Sequence, residues 1–186
     1  WDFDEVRTTH QEFGNRVTLG QSSGNQDSHA THVTGTIGAS GVNPNAKGMA
    51  PNVDLLSYSF QNGDISEMDQ EAANGLLLSN HSYGIPASSL PVSALGAYIG
   101  PAADLDNLLY SAPFYSVQFA AGNDRNSGIN LNDNGYDLLT GTSLAKNAIV
   151  VANVSQVANY TGPSSVNMSQ SSSWGPTDDG RIKPDI

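Results

Sequence analysis

The sequence predicts an α/β fold, a mainly parallel sheet with helices on both faces. Two observations point there. Short β-branched and apolar runs alternate with segments whose apolar residues recur every three or four positions, and stretches rich in Ser, Asn and Gly punctuate them. Alternation of that kind favours parallel strands joined by helical crossovers. No internal repeat or low-complexity tract divides the chain, so residues 1–186 read as one domain.

The elements follow in order. Val33 and Ile37 stand four apart, predicting a helix over about 29–39 with Ser28 as its N-cap. Residues 53–58 read as a short strand, 66–75 as a helix and 76–82 as a strand led by three leucines. Leu105, Leu108 and Leu109 predict a helix over 103–111, followed by strands through 115–121 and 148–154. In open sheets of this type, active sites gather at the carboxyl ends of strands.

Composition narrows the partners. The apolar fraction of 38% over 186 residues can fill one core. With 7 Lys and Arg against 18 Asp and Glu, the formal net charge of -11 argues against a phosphate-binding surface, and so against nucleic acid as a partner. No apolar run approaches the roughly 18 residues a spanning helix needs, and no basic segment leads into an apolar one at the start, so no membrane partner is expected. The absence of cysteine excludes disulfides, thiolate metal sites and a cysteine nucleophile. Trp1-Asp2 at one end and Lys183-Pro184-Asp185-Ile186 at the other read as boundaries inside a domain, incomplete at both ends.

The segment Ser28-His29-Ala30-Thr31-His32-Val33-Thr34-Gly35-Thr36-Ile37 places a histidine at a helix start among small residues. A glycine inside a helix costs about 1 kcal/mol relative to alanine, so Gly35 is expected to admit a close-packed neighbour. The segment resembles the histidine motif of the subtilase family, His-Gly-Thr-His-Val-Ala-Gly-Thr. Further matches come in the family's order: Asn45-Ala46-Lys47-Gly48-Met49-Ala50-Pro51, Asn80-His81-Ser82-Tyr83-Gly84, Ala120-Ala121-Gly122-Asn123, Ser172-Ser173-Trp174-Gly175-Pro176 and Arg181-Ile182-Lys183-Pro184-Asp185-Ile186.

This resemblance implies a subtilisin-like fold and a serine endopeptidase acting on extended polypeptides, secreted from a bacterium. It implies His29 as general base and Asp2 as the carboxylate that orients it, with Asp4 as the alternative because Phe3-Asp4 stand where the family has Thr-Gly or Gly-Gly. It implies Asn123 as an oxyanion donor. Ser82, Tyr83 and Gly84 resemble the stretch that pairs with substrate, and Ala121 and Gly122 border the same pocket. Gly141-Thr142-Ser143-Leu144-Ala145 looks like the family's Gly-Thr-Ser-Met-Ala-x-Pro, yet Lys146-Asn147 and a β-branched run follow where a helix must begin, so Ser143 is read as a loop residue. The chain would then end before the nucleophile helix, and a second chain or segment would carry the serine. The competing reading is a catalytically inactive subtilase-like protein that binds peptides. A nucleotide-binding α/β domain is disfavoured because no glycine-rich phosphate loop follows a strand.

No cofactor is required. Asn130, Asn132 and Asn134 alternate before Gly135 as ligands do in a calcium loop, but Gly141 replaces the glutamate that would close it, which leaves calcium as a secondary expectation. His10, His32 and His81 lack the spacing of a zinc site.

Overall fold

In the computed structural model, which describes residues 1–186 apart from the side chain of Asn62, the chain packs as two compact units, Trp1–Met68 and Asp69–Ile186. The expected parallel pairing is present throughout, in one sheet of two strands and another of three.

In the first unit, β1 (Val17–Leu19) pairs in parallel with β2 (Leu55–Ser57), and α1 (Ser28–Gly38) connects them. β1 lies outside every strand marked in the sequence, because Val17-Thr18-Leu19 stands between Asn15-Arg16 and Gly20-Gln21 with no longer apolar run around it. The N-cap of α1 is Asp27, not Ser28: its carboxylate accepts from the Ala30 amide at 2.8 Å. At the other end, the last carbonyls of α1 need donors, and the stretch around Gly48 supplies them. The amides of Gly48, Met49 and Ala50 donate to the carbonyls of Ala39, Thr36 and Ile37. A Cβ on Gly48 would meet the Ala39 nitrogen at 2.5 Å, so this crossing requires glycine. Gly35 departs from expectation, since no atom lies within 4 Å of where its Cβ would be, and it opens onto a groove of about 710 Å³.

Phe13, Val6, Val17 and Ala30 form the buried core of this unit, with Leu55 packed against them. Arg16 lashes its edges together, donating to the carbonyls of Val53, Glu12 and Gly38 at 2.8–3.0 Å. The buried Glu12 carboxylate accepts from the amides of Gly41, Val42 and Asn43 and from the Ser40 hydroxyl, which shapes the loop after α1. Those bonds, that from Asn43 first, hold its carboxyl below the usual carboxylate range.

The division between units falls within α2 (Asp64–Ala73). In the second unit β3 (Leu78–His81), β4 (Ser116–Ala120) and β5 (Ile149–Val151) pair in parallel in that order, with α3 (Gly100–Ser111) between β3 and β4. All these elements begin or end within a few residues of expectation. Val117, Phe119 and Val150 fill the covered face of the sheet, and Leu105, Leu108 and Leu109 are the buried stripe of α3. Asp106, also buried, accepts from the amides of Lys146 and Asn147 and from the Tyr98 hydroxyl, so α3 grips the connection into β5. The Lys183-Pro184-Asp185 motif closes the far side. Lys183 Nζ donates to the Ala148 carbonyl and to Asp185, whose carboxylate also accepts the Val150 amide at 2.7 Å. Among the described residues, no helix is long and apolar enough to cross a membrane.

Candidate active site

Asp2 lies beside the continuation of β2. Its amide donates to the Tyr58 carbonyl and its carbonyl accepts from the Phe60 amide, forming a single parallel bridge to Ser59. This backbone anchoring buries the carboxylate, whose side chain is 9% exposed. His29 is the second residue of α1, just after the Asp27 cap, and its ring is half exposed. The two meet: His29 Nδ1 lies 2.8 Å from Asp2 Oδ1. That same oxygen accepts the Phe3 amide at 2.8 Å, while Oδ2 is buried without a hydrogen-bond partner among the described residues. Asp4 makes no such contact with the ring.

With Nδ1 engaged, His29 Nε2 has no hydrogen-bond partner among the described residues. This is the arrangement of a base whose orientation is set at one nitrogen and whose lone pair is available at the other. Asp27 stands close by. Ligand-capable atoms of Asp2, Asp27 and His29 all lie within 4.8 Å of one another, so the helix cap brings a second carboxylate to the imidazole. Asp27 is not among the residues that sequence singles out, because Ser28 has the look of the cap; its one signal is a place two residues before His29.

In the second unit, β4 ends at Ala120 and the chain turns through Gly122, whose φ is +101°. Ser173, fully buried, clamps this turn. Its amide donates to the Gly122 carbonyl at 2.9 Å and its hydroxyl accepts the Asp124 amide at 2.9 Å, pressing against the space a Cβ on Gly122 would need. Ala121 is buried, with its amide on the Val151 carbonyl. Asn123 is exposed on the turn. Asn153 donates to its Oδ1 at 3.2 Å, which leaves the Asn123 amide nitrogen as a donor with no acceptor among the described residues. In the sequence, Ser173 is legible only as part of a motif and Asn153 only as a strand-end residue.

Ser82 and Gly84 follow β3 outside any regular element, Ser82 receiving a hydrogen bond from Asn80 at 2.9 Å. Tyr83 folds inward, edge-on to Phe119, with its hydroxyl 2.8 Å from His81 Nδ1. Ser143 sits in a buried 3₁₀ turn, donating to the Thr140 carbonyl at 2.8 Å and accepting the Thr140 amide at 3.1 Å. Its hydroxyl closes its own turn. In the asparagine-rich loop, the Asn130 amide donates to the carbonyls of Tyr136 and Asp137, while Asn132 and Asn134 are exposed.

Compared with protein families, the chain matches the subtilase family over residues 2–186. The chain belongs to the subtilase family. Subtilases are serine peptidases, and the parallel α/β architecture is consistent with their fold. No curated protein matches this subtilase.

Proposed function

We propose that this subtilase is a serine endopeptidase in which His29 is the general base, Asp2 orients it and Asn123 donates to the developing oxyanion. The observation that carries the reading is the 2.8 Å contact between His29 Nδ1 and a buried carboxylate. In such a pair, the ring takes the serine proton at Nε2, the carboxylate holds the Nδ1 hydrogen and stabilises the imidazolium that forms, and the proton passes on to the leaving amine. The outward amide of Asn123 suits the oxyanion role, since a donor useful in the transition state must not be consumed by the folded protein.

The nucleophile in this proposal comes from a second chain or segment, because Ser143 spends both capacities of its hydroxyl within its own turn. The substrate is an extended polypeptide lying along 82–84 and 121–122, pairing backbone to backbone. No cofactor takes part in the chemistry; calcium, if it binds at the Asn130 loop, has a structural role. Secretion is proposed on the family's habit.

The test is labelling with a fluorophosphonate, which reacts with an activated serine. Labelling of a serine-bearing partner or segment in the native assembly, abolished by His29→Ala, supports the peptidase. Failure of the intact assembly to label overturns it and supports a peptide-binding subtilase without nucleophile.

A further inference from the structure

A second histidine, His81, closes β3 immediately before Ser82. Its ring is 0% exposed and lies flat against Phe119, with centroids 4.4 Å apart and planes at 21°. Nε2 is 2.7 Å from Ser79 Oγ, and Nδ1 is 2.8 Å from the Tyr83 hydroxyl. Ser79 and His81 alternate in β3 and so share one side of it, and the Tyr83 ring turns to that same side to reach His81. Tyr115, just before β4, completes the row by donating to Ser79 Oγ at 2.6 Å.

Counting hydrogens gives this row a direction. Burial pushes the Tyr115 phenol up to about 12, so it remains a donor at any working pH. The Ser79 hydroxyl has one hydrogen, and with Tyr115 on a lone pair its remaining partner is His81 Nε2. Nε2 therefore accepts. A neutral imidazole then carries its hydrogen on Nδ1 and donates to Tyr83.

We propose that His81 is a positioning residue for peptide recognition: held in the Nδ1–H tautomer by Tyr115 and Ser79, it fixes Tyr83 and, through it, the 82–84 backbone. The inference rests on the reading of 82–84 as the strand that pairs with substrate. Tyr83 is edge-on to both His81 and Phe119, at centroid distances of 5.6 and 5.7 Å, so its ring is a strut behind the backbone. A backbone that must offer its N–H and C=O groups in register gains affinity when it is already held in that shape. In the opposite tautomer, the Nε2 hydrogen would meet the Ser79 hydrogen, and the row would have to reorient as far as Tyr83.

The experiment uses the 186-residue chain with ¹⁵N-labelled histidine. NMR is expected to show a protonated Nδ1 and a bare Nε2 at His81. Ser79→Ala removes the donor to Nε2 and should mix the tautomers and weaken binding of an acetylated tetrapeptide amide about tenfold, roughly 1.4 kcal/mol; Ser79→Thr, which keeps the hydroxyl, should restore both. A bare Nδ1 in the wild type, or a tautomer unchanged by Ser79→Ala, overturns the inference. Equal peptide affinity in wild type and Ser79→Ala, with the tautomer shifted, overturns the positioning role while leaving the substrate-strand reading intact. A wild type that holds the stated tautomer but binds no peptide overturns the substrate-strand reading itself and leaves His81 a purely structural histidine.

Discussion

Replacing Asp2 with asparagine tests the dyad most directly, because the structure offers the new amide no good orientation. Asp2 Oδ1 accepts from both the Phe3 amide and His29 Nδ1, while Oδ2 is enclosed without a partner. If asparagine keeps its oxygen at the Oδ1 position, its NH₂ group occupies the enclosed position with no acceptor. If it turns over, NH₂ faces the Phe3 N–H, and His29 must lose its Nδ1 hydrogen to accept from it. Either way at least one buried donor is stranded, a cost of about 1–3 kcal/mol. For a protein of this length that corresponds to a melting temperature lower by roughly 2–12 °C. In the turned-over state the hydrogen of His29 moves to Nε2, so the ring can no longer accept a proton there. In serine proteases, removing this carboxylate or turning it to the amide lowers turnover by about 10⁴-fold, and subtilisin, a member of this same family, sets part of that scale. A similar loss is expected in the peptidase assembly proposed above. Thermal denaturation of the chain measures the first effect, and ¹⁵N NMR of His29 reads the second. An Asp2→Asn protein with the wild-type melting temperature and an unchanged His29 tautomer would refute the reasoning.

Three further outcomes are expected. Phe13→Ala empties the centre of the first unit's core and should destabilise it by about 3–5 kcal/mol in urea titration. Glu12 has a lowered folded-state pKa, so its contribution is complete above the unfolded carboxylate value and is lost as pH falls through the folded one; Glu12→Gln should reduce stability at neutral pH, flatten that acid loss and speed amide exchange at 41–43. Burial keeps the His81 imidazole neutral, so its contribution is complete above about pH 6.5 and declines below it as the unfolded chain alone takes up the proton, with a slope of at most about 1.4 kcal/mol per pH unit. His81→Gln should remove that part of the slope in denaturation curves recorded from pH 7 to 5.

Helices and strands with strong periodicity are readable in the sequence because their spacing reports directly on burial. Leu105, Leu108 and Leu109 place α3 within three residues of its observed start, and each is buried. β1 is not readable because Val17-Thr18-Leu19 is flanked at once by Asn15-Arg16 and Gly20-Gln21, whereas the equally short β2 and β5 lie inside longer apolar runs. Asp27 and Ser28 are both good caps by type, and only the hydrogen bond to Ala30 separates them. The meeting of Asp2 with His29 is legible through resemblance and not through local pattern, since 27 residues separate them and no propensity encodes a long-range contact. The row from Tyr115 to Tyr83 is invisible for the same reason: its polar members sit on a buried sheet face, where alternation predicts apolar residues.

The Ser173 clamp has a bearing on the oxyanion role proposed for Asn123. One residue ties the position before Asn123 and the position after it, so the folded chain itself holds the turn in shape. Ordering a loose loop on binding would subtract from affinity and delay each encounter; here that ordering is complete when the polypeptide folds. Loosening the clamp, as Ser173→Ala would, should leave Asn123 chemically intact and yet make it a poorer donor, purely through the entropy of a turn set wandering.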